Sequence, residues 1–328
     1  MAKSTHGCIG VLGGGSIGLR HAANLRRLGV EDLVVFEPQA AARERFPANL
    51  ASSLVADADE FWLRGPKAVF ICTPSANHLA DARVAIEHGC DIFVEKPLAG
   101  AIDGCSELAA EVTRQGRIAM VACNMRFHPG PAAVKRLLDE NRIGPVLSAR
   151  LYTGSYLPRW RPWQNYRLSY SADPSAGGAI LDCIHEIDLA LWHLGPAKLR
   201  AAAARKGGVI GLEQTDVLAE LLLDHESGAL GSLHLNFVQR NYSRGCEMIG
   251  ALGTIRWDFA TPAVSVYGED GALSETIALP ADYDLNAMYL DEAEHFLGCV
   301  RSRSAPCNPI ESGLAALEIA LAAREFAR

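Results

Sequence analysis

Runs of four or five residues that are apolar at nearly every position recur at Cys8–Leu12, Leu33–Phe36, Ala68–Cys72, Asp91–Val94 and Ile118–Val121. Unbroken apolar character without alternation marks strands covered on both faces. The stretches between them, such as Leu19–Leu28, His78–His88 and Ile102–Arg114, have the Ala, Leu and Arg content of helices. Strand and helix in repetition predict a parallel sheet with right-handed crossovers, hence helices on both faces. Past Arg126 the texture changes. A helix is expected at Pro131–Asn141, then a strand at Val146–Tyr152, a long loop and a helix at Gly178–Leu194. Strand-like segments follow at Leu199–Arg205, Val217–Asp224, Leu230–Gln239, Cys246–Gly250, Thr254–Phe259 and Val264–Tyr267. Ser227-Gly228 and Leu252-Gly253 read as hairpin turns, so this sheet should be mainly antiparallel. Helix resumes near Asn286 and again at Ile310–Phe326.

The predicted fold is therefore α/β in two domains. A doubly wound parallel sheet occupies 1–123, and an α/β domain with a large, mostly antiparallel open sheet occupies 124–328. A length of 328 residues agrees, since single cores stop growing near that size. The formal net charge of −7 argues against a nucleic-acid surface or a polybasic membrane contact. No apolar segment is long enough to span a bilayer, and a short polar lead runs straight into the first strand without a secretory pattern. Nine cysteines stand singly with no Cys-x-x-Cys pair, which indicates neither a disulfide framework nor a zinc ribbon. A cytoplasmic protein is expected.

Gly13-Gly14-Gly15-Ser16-Ile17-Gly18 has the spacing Gly-x-Gly-x-x-Gly between an apolar strand and a helix. That context makes it a dinucleotide fingerprint of the Rossmann type. Gly13 makes the tight turn, Gly15 lets backbone approach a pyrophosphate, and Gly18 lets helix and strand pack closely. The helix N-terminus, with Ser16 and Ile17 in its first turn, offers N–H donors and partial positive charge to phosphate. Glu37 closes the second strand, where a carboxylate accepts hydrogen bonds from ribose hydroxyls and repels a 2′-phosphate. NAD is expected as cofactor and NADP is the less favoured one, with Arg43 close enough in sequence to complicate the choice.

Three further motifs carry a family resemblance: Cys72-Thr73-Pro74-Ser75-Ala76-Asn77-His78, Glu95-Lys96-Pro97, and Gly177-Gly178-Ala179-Ile180-Leu181-Asp182-Cys183-Ile184-His185-Glu186-Ile187-Asp188. With the glycine loop, with Arg126-Phe127-His128-Pro129 and with the ending Glu294-His295-Phe296, Pro309 and Leu317-Glu318-Ile319-Ala320, they make a chain that resembles the Gfo/Idh/MocA sugar and cyclitol oxidoreductases over nearly its whole length. The resemblance implies that Lys96 sits between nicotinamide and substrate, where desolvation and a cationic ring lower a lysine pKa and suit it to proton exchange. It implies a cis bond before Pro97, and cofactor contacts from Thr73, Pro74, Asn77, His78 and Glu95. Asp182 and His185 stand three apart on an expected helix, so both project from one face. His185 suits a base that takes a hydroxyl proton, and Asp182 suits a group that holds a substrate hydroxyl or orients the base. The spacing is one residue shorter than the common family pattern, which bears on Asp182 more than on His185. Asn124 and Arg126 could border the substrate. No metal site is expected.

The loop at 154–176 contains Trp160, Trp163 and Tyr166 among several arginines. Aromatic faces suit sugar rings, yet such a loop equally suits a subunit contact, so a substrate lid and an interface both remain open. Apolar residues on both faces of Val217–Leu223 suggest a homo-oligomer, a dimer or tetramer, through the second domain's sheet. The expected activity is hydride transfer between a nicotinamide cofactor and a carbinol carbon of a sugar, cyclitol or derivative. Two alternatives are a non-catalytic dinucleotide-bound sensor and a glycosidase that oxidises its substrate transiently through bound NAD.

Overall fold

A computed structural model describes residues 7–162 and 164–326. The chain divides into two compact units. One takes in the chain to Asn124 together with Leu285–Leu314, and the other takes in Met125–Asp284 together with the chain from Ala315.

The first unit is built on six parallel strands: β1 (Ile9–Leu12), β2 (Leu33–Phe36), β3 (Leu54–Val55), β4 (Ala68–Ile71), β5 (Asp91–Val94) and β6 (Ala119–Val121), in the order β3-β2-β1-β4-β5-β6. Every pairing is parallel. The order reverses direction between β1 and β4, the switch point at which ligands bind such sheets. β1, β4 and β5 are buried at every position, which is why, apart from Asp91 at the start of β5, their sequences read as apolar runs. Helices Ser16–Arg27, His78–Glu87 and Cys105–Arg114 form the principal crossovers. β3 has only two residues and gives no periodic signal, so the sequence reading passes over it.

This unit borrows a segment from far along the chain. Helix Ala287–Ser302 packs against helix Ser16–Arg27. The buried Glu292 accepts the backbone N–H of Cys123 at 2.6 Å. Asn308 donates from Nδ2 to the Val121 carbonyl at 2.8 Å, and the Val121 N–H donates to the Asn308 carbonyl at 3.0 Å.

The second unit carries an eight-stranded sheet: β7 (Val146–Tyr156), β8 (Ala197–Gly207), β9 (Leu212–His225), β10 (Leu230–Asn236), β11 (Val238–Gly250), β12 (Gly253–Asp258), β13 (Ala263–Tyr267) and β14 (Leu273–Ala278). Its order is β14-β13-β12-β11-β7-β10-β9-β8. The β7–β10 pair is parallel and every other pair is antiparallel. Helices Pro129–Asp139 and Ile184–Leu194 pack on one face, over Ala149, Leu151, Leu233, Met248, Ile255 and Trp257. The other face is mixed. On β9 it presents Leu218, Glu220, Leu222 and Asp224, and Arg150, Glu247 and Arg256 follow one another across β7, β11 and β12. Alternation of leucine with carboxylate gives β9 a less apolar outer face than its sequence suggested. Among the described residues no helix is long and apolar enough to cross a membrane.

Candidate active site

In the first unit four motifs leave the same edge of the sheet, because parallel strands present all their C-terminal ends together. The glycine loop follows β1, Glu37 follows β2, Thr73 follows β4 and Lys96 follows β5.

The glycines are fixed by space. Gly13 has φ +93°, and a Cβ on it would lie 2.8 Å from the Cys72 carbonyl oxygen. A Cβ on Gly18 would lie 1.8 Å from the Gly13 oxygen, so neither position admits a side chain without displacing backbone. Gly15 differs: a Cβ there would meet nothing within 4 Å. The open space lies above the start of helix Ser16–Arg27, whose first intrahelical bond runs from the Leu19 N–H to the Gly15 carbonyl at 2.9 Å. The N–H groups of Ser16, Ile17 and Gly18 precede that bond, so the loop fits a pyrophosphate.

Glu37 is buried, and its carboxylate accepts the Gly14 N–H at 2.8 Å and the Gln39 N–H at 2.9 Å. Each oxygen keeps a lone pair for a ribose hydroxyl. Arg43 turns its guanidinium to the carbonyls of Glu37 and Pro38, at 2.8 and 2.7 Å.

On the β4 side, Thr73 donates its hydroxyl to Asp81 at 2.6 Å. Burial pushes the Asp81 carboxyl up, against the opposing hydrogen bond from Thr73. Pro74 and Asn77 are exposed, and the Asn77 side chain makes no capping bond to the helix it precedes. His78 is buried with both ring nitrogens on backbone carbonyls, Pro97 and Thr73, each at 2.8 Å. It therefore ties the β4 and β5 loops together.

The Lys96–Pro97 peptide is cis, and Lys96 is partly exposed. Beside it, buried Glu95 receives His21 Nε2 at 2.7 Å and the Lys96 N–H at 3.2 Å. Sequence reading missed His21. The signal was available: Gly18, His21, Ala22 and Leu25 recur at helical spacing and are all buried, so a histidine occupied a core position. Asn124 is also buried, and its Oδ1 has no hydrogen-bond partner among the described residues.

In the second unit the expected helix over Gly178–Leu194 is two helices, Ala179–Asp182 and Ile184–Leu194, broken at Cys183. Side-chain bonds at the first helix account for the break. Asp216 accepts the Ile180 N–H at 2.9 Å, while Asp182 is drawn to the preceding loop. Tyr170 donates to Asp182 Oδ1 at 2.8 Å and Ser171 to Oδ2 at 2.6 Å. Both oxygens of this buried carboxylate thus anchor the loop. His185 lies in the first turn of the following helix and is the residue of 179–190 that keeps some exposure. Its neighbours are held in ion pairs. Arg244 Nε meets Glu186 at 2.6 Å, and Arg126 grips Asp188 bidentately at 2.8 and 2.6 Å. The two side chains of the Arg126–Asp188 pair are 5% and 1% exposed.

The aromatic loop folds on itself in short 3₁₀ turns at Leu157–Arg159, Tyr166–Leu168 and Tyr170–Ala172. Trp160 donates to Ser155 Oγ at 2.9 Å and sits edge-on to Phe237, and Tyr166 donates to the Ile210 carbonyl at 2.7 Å. Trp160, Arg161, Gln164, Tyr166 and Ser171 line a small pocket in it. Ser171 is thus shared between that pocket and Asp182. Trp163 lies outside the described residues. Among the described residues no three His, Cys, Asp or Glu side chains converge as a metal site.

Comparison with known proteins agrees with this layout. Residues 8–123 match a family model described as "Oxidoreductase family, NAD-binding Rossmann fold", and residues 132–274 match the "GFO/IDH/MocA C-terminal domain". The chain is 27% identical to the scyllo-inositol 2-dehydrogenase (NAD(+)) of Bacillus subtilis, over 95% of its own length and 92% of that protein's. It is also 27% identical to the inositol 2-dehydrogenase of Burkholderia cenocepacia, over 89% and 86% of the two chains. Among solved structures, a levoglucosan dehydrogenase in complex with NADH and levoglucosan superposes with a TM-score of 0.84 at 23% identity, covering 97% and 96% of the two chains. That likeness bears on the fold.

Proposed function

The chain belongs to the GFO/IDH/MocA oxidoreductase family, and from that premise we propose that it moves a hydride between NAD and a carbinol carbon of a sugar, cyclitol or sugar derivative. One observation carries the reading: the glycine loop, Glu37, Thr73 and Lys96 all emerge at the C-terminal edge of one parallel sheet, around its switch point. A sensor needs the first two of these and has no use for Lys96.

The residues divide the work as follows. N–H groups of the Gly13–Gly18 loop hold the pyrophosphate, and Glu37 holds the adenosine ribose. When bound, the nicotinamide supplies the hydride acceptor, or the donor in the reverse direction. A carbinol loses hydride readily only if its hydroxyl proton leaves as the carbonyl forms. His185 takes that proton, and Lys96 holds the same oxygen with its ammonium group or exchanges the proton with it. Asp182, bonded to Tyr170 and Ser171, acts by fixing the loop that precedes His185. Asn124 supplies a substrate contact. Arg126 has a lesser claim on substrate, being committed to Asp188. We place the enzyme in the cytoplasm as a homo-oligomer joined through the outer face of the β7–β14 sheet.

Turnover of NAD with a panel of inositols, hexoses and anhydrosugars tests the activity. Net NADH formation supports the dehydrogenase reading. Glycoside cleavage without NADH release would support the glycosidase alternative, and no turnover on the whole panel would support the sensor.

Cofactor preference gives a second test. Glu37→Ala removes hydrogen bonds to a charged group, so NADH affinity should fall on the order of ten- to a hundredfold. NADPH affinity should change less, narrowing the gap measured by fluorescence titration. A wild-type preference for NADPH would remove Glu37 from the ribose pocket.

Trp160→Ala tests the loop. As a substrate lid, it should raise KM for the sugar by roughly three- to tenfold, the scale of one aromatic contact. NADH affinity should stay the same. Loss of the oligomer in light scattering, with KM unchanged, would make the loop an interface element.

A further inference from the structure

We propose that His21 is a positioning residue for Lys96, acting through Glu95. The inference rests on the reading of Lys96 as an acid–base group and adds a second layer beneath it.

His21 has no exposed surface. Its ring packs against Phe70, Phe93 and Tyr289, with centroids 5.4, 5.1 and 6.2 Å away. Nε2 meets Glu95 Oε1 at 2.7 Å. An ionised carboxylate only accepts, so Nε2 carries the proton. Nδ1 is buried and has no hydrogen-bond partner among the described residues. A leucine or phenylalanine would fill this aromatic cage without stranding a polar nitrogen, so packing gives no reason for a histidine here. Among the described residues the ring's one hydrogen bond is to Glu95.

Glu95 uses its other oxygen to accept the Lys96 backbone N–H at 3.2 Å. Burial by itself would drive its carboxyl up. The hydrogen bond from His21 and the charges of His21, Lys96 and His78 outweigh burial and hold it below the ordinary carboxyl range. The other ionisable groups around it do not replace His21. Burial and Glu95 itself push the Cys72 thiol up, and burial with Glu95 and Glu292 does the same to the Tyr289 phenol, against Arg20 and Lys96. Arg20 lies over the Tyr289 ring, 4.3 Å from its centroid. His78 is tied to Thr73 and Pro97.

Without the donor on His21, burial of Glu95 is opposed by one hydrogen bond less, so its carboxyl rises and the negative charge beside Lys96 is weakened. An ammonium that loses a neighbouring carboxylate gives up its proton more easily. His21 therefore sets the pH at which Lys96 titrates.

The chain has only six lysines, which permits a direct measurement. Reductive methylation with 13C-formaldehyde labels each amine, and Lys96→Met identifies the Lys96 signal by its loss. NMR titration of the full-length protein then gives its midpoint. His21→Leu and Glu95→Gln should both move that midpoint to lower pH, and His21→Gln, which keeps a donor near Nε2, should restore it toward wild type. Circular dichroism checks folding, and Glu95→Gln serves if His21→Leu does not fold. An unmoved midpoint in both variants, or a shift in Glu95→Gln with none in folded His21→Leu, overturns the proposal. Full turnover by Lys96→Met would sink the acid–base reading instead, while a moved midpoint would still stand as a measured coupling.

Discussion

Lys96→Met and His185→Ala are each expected to lower kcat by about 10²–10⁴-fold on a substrate found by screening, the usual contribution of one positioned proton-transfer group. The proposed cofactor contacts, from the glycine loop and Glu37, do not involve His185, so NADH affinity should survive the His185 change within a few-fold. The Lys96 change should disturb the cofactor more, because Lys96 neighbours Glu95 and the loop that His78 ties down. If both groups serve one proton path, the double variant should lose less than the product of the single losses. Stopped-flow absorbance of NADH at saturating substrate gives the comparison. Near-wild-type turnover in His185→Ala would take that residue out of the mechanism.

Arg126→Ala should cost stability rather than substrate affinity. The change strands Asp188, whose side chain is 1% exposed, without its bidentate partner. Breaking one side of a buried ion pair typically costs about 3–5 kcal/mol. Replacing both partners with apolar residues, as in Arg126→Met with Asp188→Leu, should recover most of that loss, since no charge is then left buried alone. Urea denaturation of the three variants measures this. A sugar KM raised tenfold with an unchanged midpoint would instead return Arg126 to the substrate.

The ease of reading the sequence differed between the units for physical reasons. Strands β1, β2, β4, β5 and β6 could be located because burial on both faces leaves them apolar at every position but Asp91. At Gly13 and Gly18 the glycine spacing likewise reflects contacts too close for any Cβ. Three features were hidden. The break at Cys183 depends on Tyr170, Ser171 and Asp216, and no local propensity in Gly178–Leu194 encodes it. β14 and the full lengths of β8 and β11 lack strong periodicity, because their side chains are largely exposed or small. The partnership of His21 with Glu95 spans 74 positions. Periodicity can place His21 in the core but cannot name what it touches. Arg126 shows the same limit: its place after the last strand could be read from the sequence, but its buried ion pair with Asp188, 62 positions away, could not.

The return of Leu285–Leu314 to the nucleotide-binding unit has a consequence for how the chain matures. Phe296 stands edge-on to Phe70 and Phe93, and Asn308 closes the edge at Val121. A nascent chain that has only reached Asn124 holds all six parallel strands, yet it lacks the helix that covers one side of them. Domains commonly fold in order as they leave the ribosome. Here the first to be made must wait, with aromatic surface uncovered, until most of the second has been synthesised. Closing so long a loop adds little entropic cost beyond that of a shorter one. The delay is one of timing: Phe70 and Phe93 gain their contact with Phe296 only after nearly all of the second unit has been made.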